Sequence, residues 1–94
     1  MSVKRIRRAV RDGSYEFTTH ALEEMDEDAL TDEDVRDILL RGKLVLRLTD
    51  DPRGIRFVIR GKCRNDQVEV EVVCRFLPSG LMRIITTYAI EESQ

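Results

Sequence analysis

The chain has no tryptophan, one histidine, two cysteines and two prolines in 94 residues, and only 5% of it is aromatic. Its core must therefore be aliphatic, with Phe17, Phe57, Phe76, Tyr15 and Tyr88 as the only rings. Cys63 and Cys74 have no nearby His or further Cys, which excludes a standard zinc site on ligand count; reduced, half-buried thiols are expected. There is no glycine-rich phosphate loop, metal-ligand cluster or nucleophile motif, so nucleotide- and metal-dependent enzymes are disfavoured and no cofactor is expected. No apolar run approaches membrane-spanning length, and Met1 to Val10 carries Lys4, Arg5, Arg7 and Arg8 where a secretion signal would be apolar. A cytoplasmic protein without membrane contact is expected.

Charge is abundant: 36% of residues are charged, yet the net charge is -2 and the pI is ≈ 5.4. The two signs are segregated. From Leu22 to Asp37 the acids Glu23, Glu24, Asp26, Glu27, Asp28, Asp32, Glu33, Asp34 and Asp37 face one base, Arg36. From Arg41 to Arg64 the bases Arg41, Lys43, Arg47, Arg53, Arg56, Arg60, Lys62 and Arg64 face only Asp50 and Asp51. Opposed blocks of this kind permit self-association as a homodimer.

The length suits a single domain spanning 1–94. Val3, Ile6, Ala9 and Val10 recur at helical spacing with basic residues between them, and Gly13 supplies a stop. After a brief strand, Tyr15 to Thr18, either Thr18 or Thr19 can cap a second helix with Leu22, Met25 and Ala29 inside. Thr31 before Asp32, Glu33 and Asp34 caps a third, which has Val35, Ile38 and Leu39 inside and ends at Gly42. From Lys43 the period is two. Leu44, Leu46 and Leu48 form one face, and Asp50-Asp51-Pro52-Arg53-Gly54 is a turn. Ile55, Phe57 and Ile59 form the inner face of the next strand, and Arg64-Asn65-Asp66 turns the chain again. Val68, Val70, Val72, Cys74 and Phe76 follow as an inner face, and the last strand runs from Leu81 to Tyr88.

The expected fold is α+β, with amino-terminal helices packed on a four-stranded antiparallel sheet. The sheet's other face would carry Arg47, Arg56, Arg60 and Arg75 among Val45, Val58, Val73, Glu69 and Glu71. That face is either balanced by cross-strand pairs, such as Arg60 with Glu69 or Glu71, or it cradles phosphates or an acidic partner.

The only histidine, His20, falls in the first helical turn after the brief strand. An imidazole there can serve as an acid, a base or a reader, or simply close the turn. Around it, Phe17-Thr-x-His20-Ala-x-Glu23-x-Met25, Leu30-Thr-x-Glu33-Asp-Val35, Asp51-Pro-Arg53-Gly and Ile84-Ile-Thr-Thr-Tyr88 occur in order. In these motifs the chain resembles the bacterial and archaeal domain-of-unknown-function family 4258, over nearly its whole length. That family looks like a relative of the RelE/ParE-type toxin fold, whose small proteins cleave messenger RNA and are restrained by an antitoxin.

The resemblance implies a metal-free endoribonuclease of a toxin-antitoxin system, with RNA and an antitoxin protein as partners. Such cleavage needs an acid, a base and cations for the phosphate. The candidates are His20, Arg56, Arg75 and Tyr88 for catalysis, and Arg47, Arg53, Arg56 and Arg60 for holding RNA or a partner. Relatives commonly read Glu-Arg-Met and Glu-Arg-Gly-Ile in the histidine helix, where this chain has Glu23-Glu24-Met25 and Glu27-Asp28-Ala29-Leu30. Glu24, one turn after His20 on the same face, repels a phosphate placed there. The alternative is a non-enzymatic protein-binding or self-associating module on the same fold.

Overall fold

Helix boundaries follow capping chemistry. The structure, a computed structural model, describes residues 2–63 and 68–90. Helix α1 spans Ser2–Asp12 and stops at Gly13, whose φ of +72° only glycine adopts freely. Helix α2, Thr19–Glu27, is capped by Thr18, whose Oγ1 accepts from the Ala21 N–H at 3.0 Å. Helix α3, Asp32–Arg41, has a reciprocal capping box: Thr31 Oγ1 accepts from Asp34 N at 3.1 Å, and Asp34 Oδ2 accepts from Thr31 N at 2.9 Å.

The strands are β1 (Tyr15–Phe17), β2 (Lys43–Leu48), β3 (Arg56–Lys62), β4 (Glu69–Phe76) and β5 (Met82–Ala89). They form one five-stranded sheet in the order β1-β5-β4-β3-β2. This corrects the expected four-stranded antiparallel sheet. β2 to β5 do run antiparallel in sequence, but β1 adds to the free edge of β5 in parallel, making the sheet mixed. Three residues carry little alternation of their own; their place is set by backbone bonds, Thr18 N–H to Ile84 O and Met82 N–H to Ser14 O, each 3.0 Å.

Helices α2 and α3 pack on the sheet and α1 packs on α3. Ile6, Val10, Val35, Ile38 and Leu39 from the helices meet Phe57, Ile59, Val70, Val72, Met82 and Ile84, all buried. Each fully buried aliphatic of this kind contributes about 1.5–3 kcal/mol of burial. Arg36 joins three elements: its Nη1 donates to Val10 O at 3.4 Å and to the Tyr15 hydroxyl at 3.0 Å. At the end of α3, Gly42 sits so close to the sheet that an added Cβ would lie 2.6 Å from the carbonyl oxygens of Arg60 and Ile38.

Two expected apolar faces are displaced. In α2 the buried residues are Ala21 and Met25, whereas Leu22 is 51% exposed and Ala29 lies beyond the helix with φ of 55°. In β2 the pairing register shifts between Leu44 and Leu46. That bulge reverses the faces, so Leu46 comes opposite Val58 and Leu48 opposite Arg56, while Arg47 comes opposite Phe57. The thiols of Cys63 and Cys74 are fully buried rather than half-buried, and burial pushes Cys74 up to about 12. The turn expected at Arg64, Asn65 and Asp66 lies outside the described residues. Among those described, no helix is long and apolar enough to cross a membrane.

Candidate functional site

The sheet face away from the helical core is built in three rows about 7 Å apart, the rise of two strand residues. The first row pairs Lys43, Arg60, Glu71 and Tyr88 across β2 to β5. The second pairs Leu46, Val58, Val73 and Thr86. The third sets Leu48 beside Arg56, and Arg75 beside Arg83 and Glu16. Val58 and Val73 are buried yet lie outside the main core cluster. The long side chains of the flanking rows shield them from water.

Each charged row is closed by a carboxylate. In the first, Arg60 Nε and Nη2 donate to Glu71 Oε2 at 2.9 and 2.6 Å, and the Tyr88 hydroxyl donates to Glu71 Oε1. Burial pushes the Glu71 carboxyl up, but the Tyr88 and Arg60 donors outweigh it and hold it below its usual range. Tyr88 is held above its ordinary range, first by the bond to Glu71 and then by burial.

In the third row the clamp is Asp51, from the turn between β2 and β3. Its Oδ1 accepts from Arg53 N at 2.9 Å, forming an Asx turn, and from Arg53 Nε at 3.2 Å. Its Oδ2 lies 3.1 Å from Arg53 Nη2, 3.8 Å from Arg56 Nε and 3.9 Å from Arg75 Nη1. The bonds from Arg53 foremost, with the charge of Arg56, lower Asp51 from 3.8 to about 2 against the opposing effect of burial. Arg56 also reaches Asp50 at 3.0 Å, and Arg83 pairs with Glu16 at 2.6 Å.

The predicted site residues therefore separate. Arg56 and Arg75 come together on Asp51, and Arg53 joins them from the turn. Tyr88 and Arg60 share Glu71, one apolar row away. The bulge in β2 removes Arg47 from this face. His20 is exposed in the first turn of α2, and among the described residues its side chain makes no hydrogen bond or ion pair. The Arg60–Glu71 pair was legible from strand alternation. Asp51 was legible only as a turn residue, because its partner Arg75 is contributed by a strand beyond the next turn.

A further group of cations lies beside this face. A groove of ≈ 400 Å³ between the end of α3 and β2–β3 is lined by Arg41, Lys43, Val45, Arg60, Lys62 and Glu69, together with Gly42 and Gly61. Among the described residues Lys43 and Lys62 have no ion-pair partner. Beside it, Lys4, Arg7, Arg8 and Arg11 of α1 line a second groove of ≈ 480 Å³ with Asp12. Arg7 Nη2 donates to Gly42 O at 3.3 Å, linking the two.

The sequence profile of the family described as Domain of unknown function (DUF4258) matches residues 17–89. No curated protein and no solved structure matches the chain significantly.

Proposed function

The chain belongs to the DUF4258 family, and we propose that it is a non-catalytic protein-binding module on a RelE/ParE-like fold. One observation carries the reading. The groups that a scissile phosphate would need already face internal carboxylates: Arg56 pairs with Asp50 and lies 3.8 Å from Asp51, Arg75 lies 3.9 Å from Asp51, and Tyr88 donates to Glu71. A phosphate entering either row meets a fixed negative charge, and a tyrosine donating to a carboxylate has no proton free for a leaving oxygen. Among the described residues His20 has no orienting partner.

What the surface offers is contact area. Val45 and Leu46 are 36% and 51% exposed on the edge strand β2, and Tyr88 is 40% exposed. Exposed aliphatics beside Lys43, with Tyr88 at the other end of the same row, match the anatomy of a protein-binding patch. The order of helices and the antiparallel run from β2 to β5 support the RelE/ParE-like assignment of the fold.

A second reading, a toxin-like endoribonuclease acting on RNA and restrained by an antitoxin, draws support from the donors around Asp51. Arg56 Nε is buried without a hydrogen-bond partner, and Arg75 is buried with only a 3.9 Å ion pair. The test is titration of inorganic phosphate into protein carrying ¹⁵N-labelled arginine side chains. The module reading predicts no saturable shift at Arg56 or Arg75 in the native chain, and a shift once Asp51→Asn opens the row. Saturable phosphate binding by the native chain would favour the ribonuclease.

A further inference from the structure

We infer that the partner is a second copy of this chain, with the exposed face of α2 from one molecule seated in the basic groove at α3, β2 and β3 of another. This rests on the module reading and deepens it by naming the occupant.

The two surfaces complement each other in both charge and apolar content. Helix α2 turns Ala21 and Met25 into the core, which leaves Leu22, Glu23, Asp26 and Glu27 exposed on its far side. Among the described residues the side chains of Glu23, Asp26 and Glu27 make no hydrogen bond or ion pair. Leu22, at 51% exposure, is an apolar residue surrounded by unpaired acids. The groove is its counterpart. Lys43 and Lys62 are exposed and unpaired among the described residues, Arg41 holds only the i,i+4 pair with Asp37 on its own helix, and Val45 supplies an apolar residue to the lining. Gly42 and Gly61 also line the groove, where α3 and β3 pack so closely that a Cβ on Gly61 would lie 3.3 Å from the Gly42 Cα.

Within one molecule the ion pairs fall on the sheet, the turn and α3, and among the described residues these acids and lysines take no part in them. Bringing them together removes like-charge repulsion within each block and lets Leu22 meet Val45, a helix-in-groove contact. A groove with only Glu69 among its lining acids selects an acidic helix over a basic one. If the contact is reciprocal it closes as a dimer; if it is head to tail it extends as a chain.

The test is mass by sedimentation equilibrium on four samples: the native chain, Glu23→Lys/Glu27→Lys, Lys43→Glu/Lys62→Glu, and an equimolar mixture of the two variants. All substituted positions are exposed, so circular dichroism should show native folds. The native chain should associate at low salt, with a dissociation constant rising about tenfold or more between roughly 20 mM and 300 mM salt as charges are screened. Each variant alone should be monomeric, because its two faces then carry the same sign, and the mixture should associate again. A native chain that stays monomeric at low salt, or variants that associate as the native chain does, would overturn the proposal. So would a monomer whose groove binds an RNA 20-mer in a manner lost with Lys43→Glu/Lys62→Glu, which would give the groove to nucleic acid. The two readings fail separately: RNA cleavage lost in His20→Ala ends the module reading, and a low-salt monomer ends this one.

Discussion

The Tyr88 hydroxyl on β5 donates to Glu71 Oε1 on β4, and the two residues are direct cross-strand partners. Glu71 is 5% exposed and Tyr88 is 40% exposed, so the pair forms a lid of polar groups beside the buried Val73. Tyr88→Phe should lower stability by about 1 kcal/mol, since the remaining Arg60 bonds keep Glu71 paired. Urea unfolding checks this. In a Tyr15→Phe background, the ultraviolet titration of the remaining tyrosine should fall above the ordinary value of 10.0. Glu71→Gln should bring it back down.

Asp51 makes the turn acid-sensitive. Its folded-state pKa is depressed from 3.8 to about 2, so its contribution is fully present above the upper value and is lost as pH falls toward the lower one. Urea midpoints at about pH 5 and about pH 2.5 should therefore differ more for the native chain than for Asp51→Asn. The fall that remains in the variant includes the contribution of Glu71, whose carboxyl is also held below its usual range.

Ala29 holds φ of 55°, the left-handed conformation that closes α2, with the Leu30 N–H donating to Met25 O at 2.8 Å. A Cβ in that conformation costs about 1–2 kcal/mol, more than the roughly 0.4–1 kcal/mol that glycine's freedom in the unfolded chain takes back. Ala29→Gly should thus be stabilising despite the added freedom of the unfolded chain, and a melting temperature higher by about 4 °C would register it. No gain, or a loss, would contradict the assignment of strain to this residue.

Gly42 has an ordinary φ of −73°, so its requirement is space. An alanine there would push against two carbonyl oxygens at 2.6 Å and Ile59 Cγ2 at 2.8 Å. Gly42→Ala should cost about 1–3 kcal/mol, measured by urea unfolding, because backbone cannot move aside as a flexible side chain can.

Most helical boundaries could be read in advance because capping is local: Thr18, Thr31 and Gly42 each act within a few residues of themselves. The inner faces of β3 and β4 were equally legible, since Phe57, Ile59, Val70, Val72 and Cys74 fall on alternate positions, with Arg56, Arg60, Glu69, Glu71 and Arg75 marking the opposite face. β2 misled because Leu44, Val45 and Leu46 are all apolar, so nothing in the pattern marks where the bulge inverts it. Leu22 misled for a related reason: Ala21, its neighbour, fills the inner position with a smaller side chain. In the candidate site, alternation brought Arg60 to Glu71. The clamp of Asp51 on Arg75 depends on three strands meeting at one turn, which no local pattern encodes.

The most direct test of the central claim, that internal carboxylates leave this fold without ribonuclease chemistry, is cleavage of a defined single-stranded RNA by the purified chain, with His20→Ala and Arg56→Ala alongside. The account predicts no cleavage by the native chain beyond the level of the two variants. Cleavage by the native chain that disappears in His20→Ala, with the circular dichroism unchanged, would contradict it.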